Sequence, residues 1–128
     1  MWLPSSIRSS SSCIVENVVG IGLLGAVGAI ARFLLDGAVS ARASSSFPWG
    51  TLVVNLTGAF ALGFVTGKLS GDAQLLVGTG LLGGYTTFST WMFESHRLGE
   101  DGALRASVVN LLGSLVLGIV AVWLGRTL

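Results

Sequence analysis

Within a segment that otherwise reads as an apolar helix stands the run GGYTTFSTWMFE, Gly83 to Glu94. Two adjacent glycines and two adjacent threonines make a poor helix interior, because glycine carries backbone entropy and threonine is stiff about χ1. The helix is expected to open there. In hydrocarbon an opened turn leaves carbonyls and amides that lipid cannot satisfy, so it persists only where it binds an ion or lines a polar path. The chemistry this indicates is ion transport.

Other polar residues lie in apolar surroundings. Arg32 is the one cation well inside an apolar stretch, and two readings are open: a structural role near the aqueous end, or attraction of anions at a vestibule. Asn55, with Thr51 one turn before it and Gly58 nearly a turn after, reads either as an interhelical hydrogen-bonding amide or as a pore-lining donor. Ser107, Asn110 and Ser114 fall at i, i+3 and i+7, on one face of the last apolar stretch, as a hydrated or ion-conducting track requires; hydroxyls can also bond back to their own helix. Glu94 marks a polar terminus of the path or simply reaches water. His96, beside Arg97, reads as a solvated end residue.

The elements that position these residues follow from composition. The chain has 128 residues, 52% hydrophobic and 10% charged, against roughly 25% charged in an ordinary soluble domain. Four stretches approach or exceed the ~20 residues that cross a bilayer: Asn17 to Val39, Gly50 to Leu69, Ala73 to Arg97 and Gly102 to Trp123. The expectation is an all-α membrane domain over residues 17–128, with a disordered Ser-rich extension over residues 1–16. Cys13, the single cysteine, excludes an internal disulfide and a cysteine metal cluster. A formal net charge of +1 is too small to indicate a nucleic-acid partner.

Small residues at spacings of three and four are expected to let helices approach closely: Gly22, Gly25 and Gly28, Gly63 and Gly67, Gly80 and Gly84. Pro48 is expected to start the second helix, with Trp49 and Trp123 as interfacial anchors. The loop from Leu69 to Asp72 is short enough to force an antiparallel hairpin.

Four spans place the termini and central loop on one side, with Arg8, Lys68 and Arg126. The other side has Arg42, Arg97 and Arg105, with Arg32 near that end of the first helix. Orientation follows an excess of Lys and Arg on the cytoplasmic side, and hardly any excess exists here. Insertion both ways, with antiparallel pairing of copies, is the expectation.

The residues now assembled resemble those of the CrcB/Fluc fluoride channels of bacteria and archaea. The similarity runs from about Gly20 onward. It includes Gly28, Ala29 and Arg32, the Asn55 to Gly58 region, and above all GGYTTFSTWMFE. It implies four transmembrane helices, the third broken in mid-membrane, in an antiparallel dimer with two fluoride pores and one structural sodium ion (Na+) on the two-fold axis. By match to the family motif, the backbone carbonyls of Gly83 and Thr86 supply the sodium cage. An antiparallel dimer brings a residue next to its own copy only near mid-membrane, where Gly83 to Thr87 lies, and carbonyl oxygens suit a hard cation.

Family members meet fluoride in part with two phenylalanines three apart, since an aromatic edge is the positive part of the ring quadrupole. Here the first is Phe88, and the second position holds Trp91. Indole offers an N–H as well as an edge, so Trp91 either coordinates fluoride or marks one subunit of a heterodimer with a paralogue. Asn55 matches the pore asparagine and Arg32 the first-helix arginine near the entrance; Asn110 and Ser114 match members of a variable track, and Glu94 the acid after the aromatic pair.

The resemblance thus implies a passive fluoride channel of the inner (plasma) membrane, with no enzymatic activity. Two alternatives remain at this point. A small dual-topology multidrug antiporter needs a carboxylate in the middle of its first helix, but Glu16 lies at the edge of the apolar stretch and no other acid precedes Asp36. A non-conducting partner subunit of a heterodimeric channel is the other.

Overall fold

A computed structural model describes residues 4–43 and 46–128; residues 1–3, in the expected extension, and 44 and 45, in the Ser-rich first loop, lie outside it. Every regular element among the described residues is helical. The first, α1 (Ser5–Arg42), has 38 residues. At ~1.5 Å per residue it runs about 57 Å, well beyond a hydrocarbon core of about 30 Å. It begins at Ser5 behind Pro4, so residues 5–16, expected as part of a disordered extension, are helical in the structure. Once the apolar run has nucleated a helix, each further residue adds a backbone hydrogen bond, and serine costs only a few tenths of a kcal/mol relative to good helix formers.

The second helix, α2 (Trp49–Lys68), starts directly after Pro48, whose carbonyl accepts from the Leu52 amide at 3.1 Å. Leu69 and Ser70 connect it to α3 (Gly71–Gln74), where Gly71 takes φ +63° and reverses the chain. A π-helical stretch, Leu75–Leu82, follows, then the single turn α4 (Gly83–Tyr85). Beyond three non-helical residues, helix resumes as α5 (Ser89–Glu100). A Schellman closure ends α5: Ala103 N–H donates to the Leu98 carbonyl at 2.9 Å, Gly102 N–H donates to Gly99 at 3.2 Å, and Gly102 has φ +80°. The last helix, α6 (Leu104–Thr127), has 24 residues.

Helices α1, α2 and α6 are each long and apolar enough to cross a membrane. Large apolar side chains face outward around them, including Leu23, Val27 and Phe33 of α1 and Leu112, Val116 and Ile119 of α6. A periphery of this kind suits lipid and is costly in water. The chain is an integral membrane protein.

Helix α2 packs most extensively on α6, and α1 on the π-helical stretch and α4. Both contacts are backbone to backbone. A Cβ on Gly63 would strike the Val122 carbonyl and one on Gly125 the Phe60 carbonyl; Gly28 abuts the Leu81 carbonyl and the Tyr85 amide, and Gly84 abuts the Gly25 carbonyl. Of the glycines expected at packing faces, Gly22 differs, since a Cβ there would meet nothing within 4 Å. The α1–α4 contact holds the opened segment in place.

Candidate functional site

The Thr86 amide is the last to continue the helical pattern, donating to the Leu82 carbonyl at 2.9 Å while its hydroxyl donates to the same oxygen at 3.0 Å. Thr86 then turns extended, with φ −79° and ψ 157°. In a continuous helix the Thr87 amide would close onto the Gly83 carbonyl. It donates instead to Asn55 Oδ1 at 2.9 Å, and Asn55 Nδ2 donates to the Thr87 carbonyl at 2.9 Å. One side-chain amide from α2 thus satisfies both backbone groups of the opened residue, which is how the turn tolerates an apolar environment.

Thr87 also serves the next helix. Its Oγ1 accepts from the Thr90 amide at 3.3 Å and donates to Thr90 Oγ1 at 3.1 Å. A threonine three residues ahead of the amide it satisfies is a helix-start signature. The TTFST spelling therefore carried a signal for Thr87 that the reading of candidate residues missed.

Among the described residues no group of three or more His, Cys, Asp or Glu could hold a metal. A cation here would use backbone oxygens. The Gly83 carbonyl has lost its helical donor to Asn55, and the Thr86 carbonyl lies outside the helix, approached by Arg32 Nη1 at 3.4 Å. A carbonyl has two lone pairs, so this long contact leaves Thr86 an acceptor site. The two oxygens fit a sodium cage in donor type.

Phe88 is 70% exposed, at the start of α5. Its ring lies 5.6 Å from that of Trp91, edge to face at 74°. Trp91 is half-buried and lines a cavity of about 580 Å³ with Asn55, Ser114 and α6 residues down to Arg126. A second cavity, about 200 Å³, collects Arg32, Asp36, Thr51, Thr87 and Thr90. A third, about 280 Å³, holds Glu94 with Ser40, Arg97 and Asp101. Thr51 Oγ1 and Glu94 Oε2 are both buried and without a hydrogen-bond partner among the described residues.

Ser107, Asn110 and Ser114 share a face of α6, and the part of it that carries Ser107 and Asn110 packs on α5. Ser107 Oγ donates to the Ser95 carbonyl at 2.6 Å, and Asn110 Nδ2 donates to Ser95 Oγ at 2.7 Å. Ser107 is 8% exposed and Asn110 1%, because α5 covers them and satisfies them. Only Ser114, whose hydroxyl donates to Asn110 Oδ1 at 3.3 Å, borders the cavity with Asn55 and Trp91. Ser95, absent from the sequence-based candidates, is the hub of this network. Serine in mid-helix has no periodic signal of its own. His96 pairs with Glu100, Nε2 to Oε1 at 2.9 Å, on the exposed face of α5.

The family model described as "CrcB-like protein, Camphor Resistance (CrcB)" matches residues 19–126. A protein of Mycolicibacterium paratuberculosis named Fluoride-specific ion channel FluC 2 is 56% identical over 111 residues, 86% of this chain and 91% of the relative. A Mycobacterium tuberculosis protein of the same name is 48% identical over 121 residues, 94% of this chain and 96% of the relative. Fluoride-specific ion channel FluC of Geobacter sulfurreducens is 43% identical over 117 residues, 87% of this chain and 94% of the relative.

Proposed function

The chain belongs to the CrcB family, and we propose that it is a fluoride-selective channel through which cytoplasmic fluoride leaves down its electrochemical gradient. It is a multi-pass protein of the plasma membrane and not an enzyme. The observation that carries the function is that relatives named fluoride-specific channels span nearly the whole of this chain and of their own. Hydrogen fluoride crosses membranes as a neutral weak acid and dissociates inside; a passive anion pore releases the trapped ion and so limits its toxicity.

Fluoride is small and strongly hydrated, so a fully charged site would hold it too firmly to let it go. The edges of Phe88 and Trp91 and the second N–H of Asn55 Nδ2 offer weaker partial charges along one path, which Ser114 also borders. Arg32 and Glu94 belong to its more polar approaches. Ser107 and Asn110 lie behind that path as support for α5.

The working unit in this reading has four membrane spans per chain, the third interrupted at Thr86–Phe88, and two chains in antiparallel arrangement. Near-equal basic charge on the two sides supports it, as does the exposure of Phe88 in a single chain. The carbonyls of Gly83 and Thr86 from both copies would hold one sodium ion, which supplies a positive centre for otherwise repelling carbonyl dipoles.

The test is fluoride efflux from liposomes containing the purified protein alone, followed with a fluoride electrode beside chloride-loaded vesicles. Rapid fluoride release without chloride release is expected. No release from well-folded protein would overturn a self-sufficient channel, and restored release on adding a paralogous subunit would establish a heterodimer.

A further inference from the structure

Trp91 has one hydrogen-bond donor, the indole N–H, and the structure accounts for it. Nε1 donates to the Asn110 backbone carbonyl at 3.2 Å. Around that bond α5 and α6 are joined by a closed set of hydrogen bonds. Ser95 Oγ donates to the Trp91 carbonyl at 2.8 Å and accepts from Asn110 Nδ2, while Ser107 Oγ donates to the Ser95 carbonyl. Ser95 and Asn110 are each 1% exposed. Competition from water is therefore excluded at the centre of the seam, where a hydrogen bond counts for more than at a surface.

The same bond orients the ring. With the N–H turned toward α6, the indole lies edge to face with Phe88 and lines the cavity it shares with Asn55 and Ser114. A free indole N–H would add a full donor to a site that must also release a strongly hydrated anion. Engaging it elsewhere keeps the site shallow.

We propose that Trp91 is a positioning residue: its N–H latches α5 to α6 through the Asn110 carbonyl, and the indole meets the fluoride path by its ring edge alone. This rests on the fluoride-channel reading above. It makes tryptophan at this position a functional relative of phenylalanine and assigns Asn110 to the latch.

The test combines liposome efflux with nuclear magnetic resonance of protein labelled at the indole nitrogens. Trp91→Phe keeps the edge and loses the latch, so fluoride efflux falls by about threefold to tenfold, the value of one hydrogen bond. Trp91→Ala loses both, and efflux falls by more than about thirtyfold. The Trp91 Nε1–H resonance, identified by its disappearance in Trp91→Phe, stays in place as fluoride is added. A resonance that moves in proportion to bound fluoride, or Trp91→Phe efflux as low as that of Trp91→Ala in well-folded protein, overturns the inference while leaving the channel reading intact. A parent protein that releases no fluoride, alone or with a paralogous subunit, overturns both.

Discussion

Asn55 grips Thr87 from both sides: its Oδ1 accepts the Thr87 amide and its Nδ2 donates to the Thr87 carbonyl, each at 2.9 Å across 32 positions of sequence. A single side chain replaces the two helical partners that the opened turn forfeits. The interruption in the third apolar segment and the asparagine in the second are therefore one feature. Neither is stable in an apolar environment without the other.

Asn55→Leu is expected to remove both hydrogen bonds and strand the Thr87 amide and carbonyl. The cost is roughly 1–3 kcal/mol for each group left unsatisfied. Thermal unfolding in detergent should show a lowered Tm, and efflux should fall with it. An unchanged Tm would remove Asn55 from the support of the turn.

Phe88→Ala should leave folding intact, since the side chain is 70% exposed in a single chain, yet abolish fluoride efflux by removing the ring edge. Monodisperse protein with no flux is the expected result. Flux equal to that of the parent would exclude Phe88 from the pathway.

Gly28 and Gly84 sit where backbones touch. Gly84→Ala would push a methyl group onto the Gly25 carbonyl, and Gly28→Ala would do the same to the Leu81 carbonyl. Overpacking of this kind costs typically ~1–3 kcal/mol. Gly22→Ala meets nothing within 4 Å and should gain up to about 1 kcal/mol of helix propensity. Comparing the three by thermal unfolding checks the α1–α4 contact, which fails if all behave alike.

Thr87→Val keeps the shape and removes the oxygen that serves the first turn of α5. A loss of about 1 kcal/mol is expected, as for other helix starts. The Asn55 contacts use only backbone atoms of Thr87, so efflux should survive better than in Asn55→Leu.

Replacing sodium with a large organic cation during purification should lower the Tm, with recovery that saturates on adding sodium back, because an ion that binds only the folded state stabilises it by mass action. A Tm indifferent to sodium would exclude a cage built from Gly83 and Thr86.

Much of this was legible in order of residues. Apolar lengths located α1, α2 and α6, the helices long and apolar enough to cross a membrane, and GGYTT falls where helix gives way to the non-helical residues 86–88, because both depend on local backbone energetics and side-chain transfer. The Gly102 turn ending α5 is equally local. What the order could not convey was direction. Ser107, Asn110 and Ser114 share a face in any α-helix, but whether that face opens to a path or closes on a neighbour depends on where α5 lies. Ser95 closes it. The helical state of Ser5 to Glu16 was missed for a related reason, as a serine run has weak preferences that a long neighbouring helix overrides.

The sequence by itself determined that this chain crosses a membrane and must interrupt one apolar segment with unpaired backbone, since about 20 apolar residues and a glycine–threonine run have those consequences wherever they stand. Tertiary structure alone decided how the interruption is satisfied, which way the indole of Trp91 points, and which polar groups of α6 are left for an ion. These depend on contacts between residues 12 to 32 positions apart, such as Ser95 with Ser107, Trp91 with Asn110 and Asn55 with Thr87. Helix spacing sets which residues share a face, and only packing sets what that face meets.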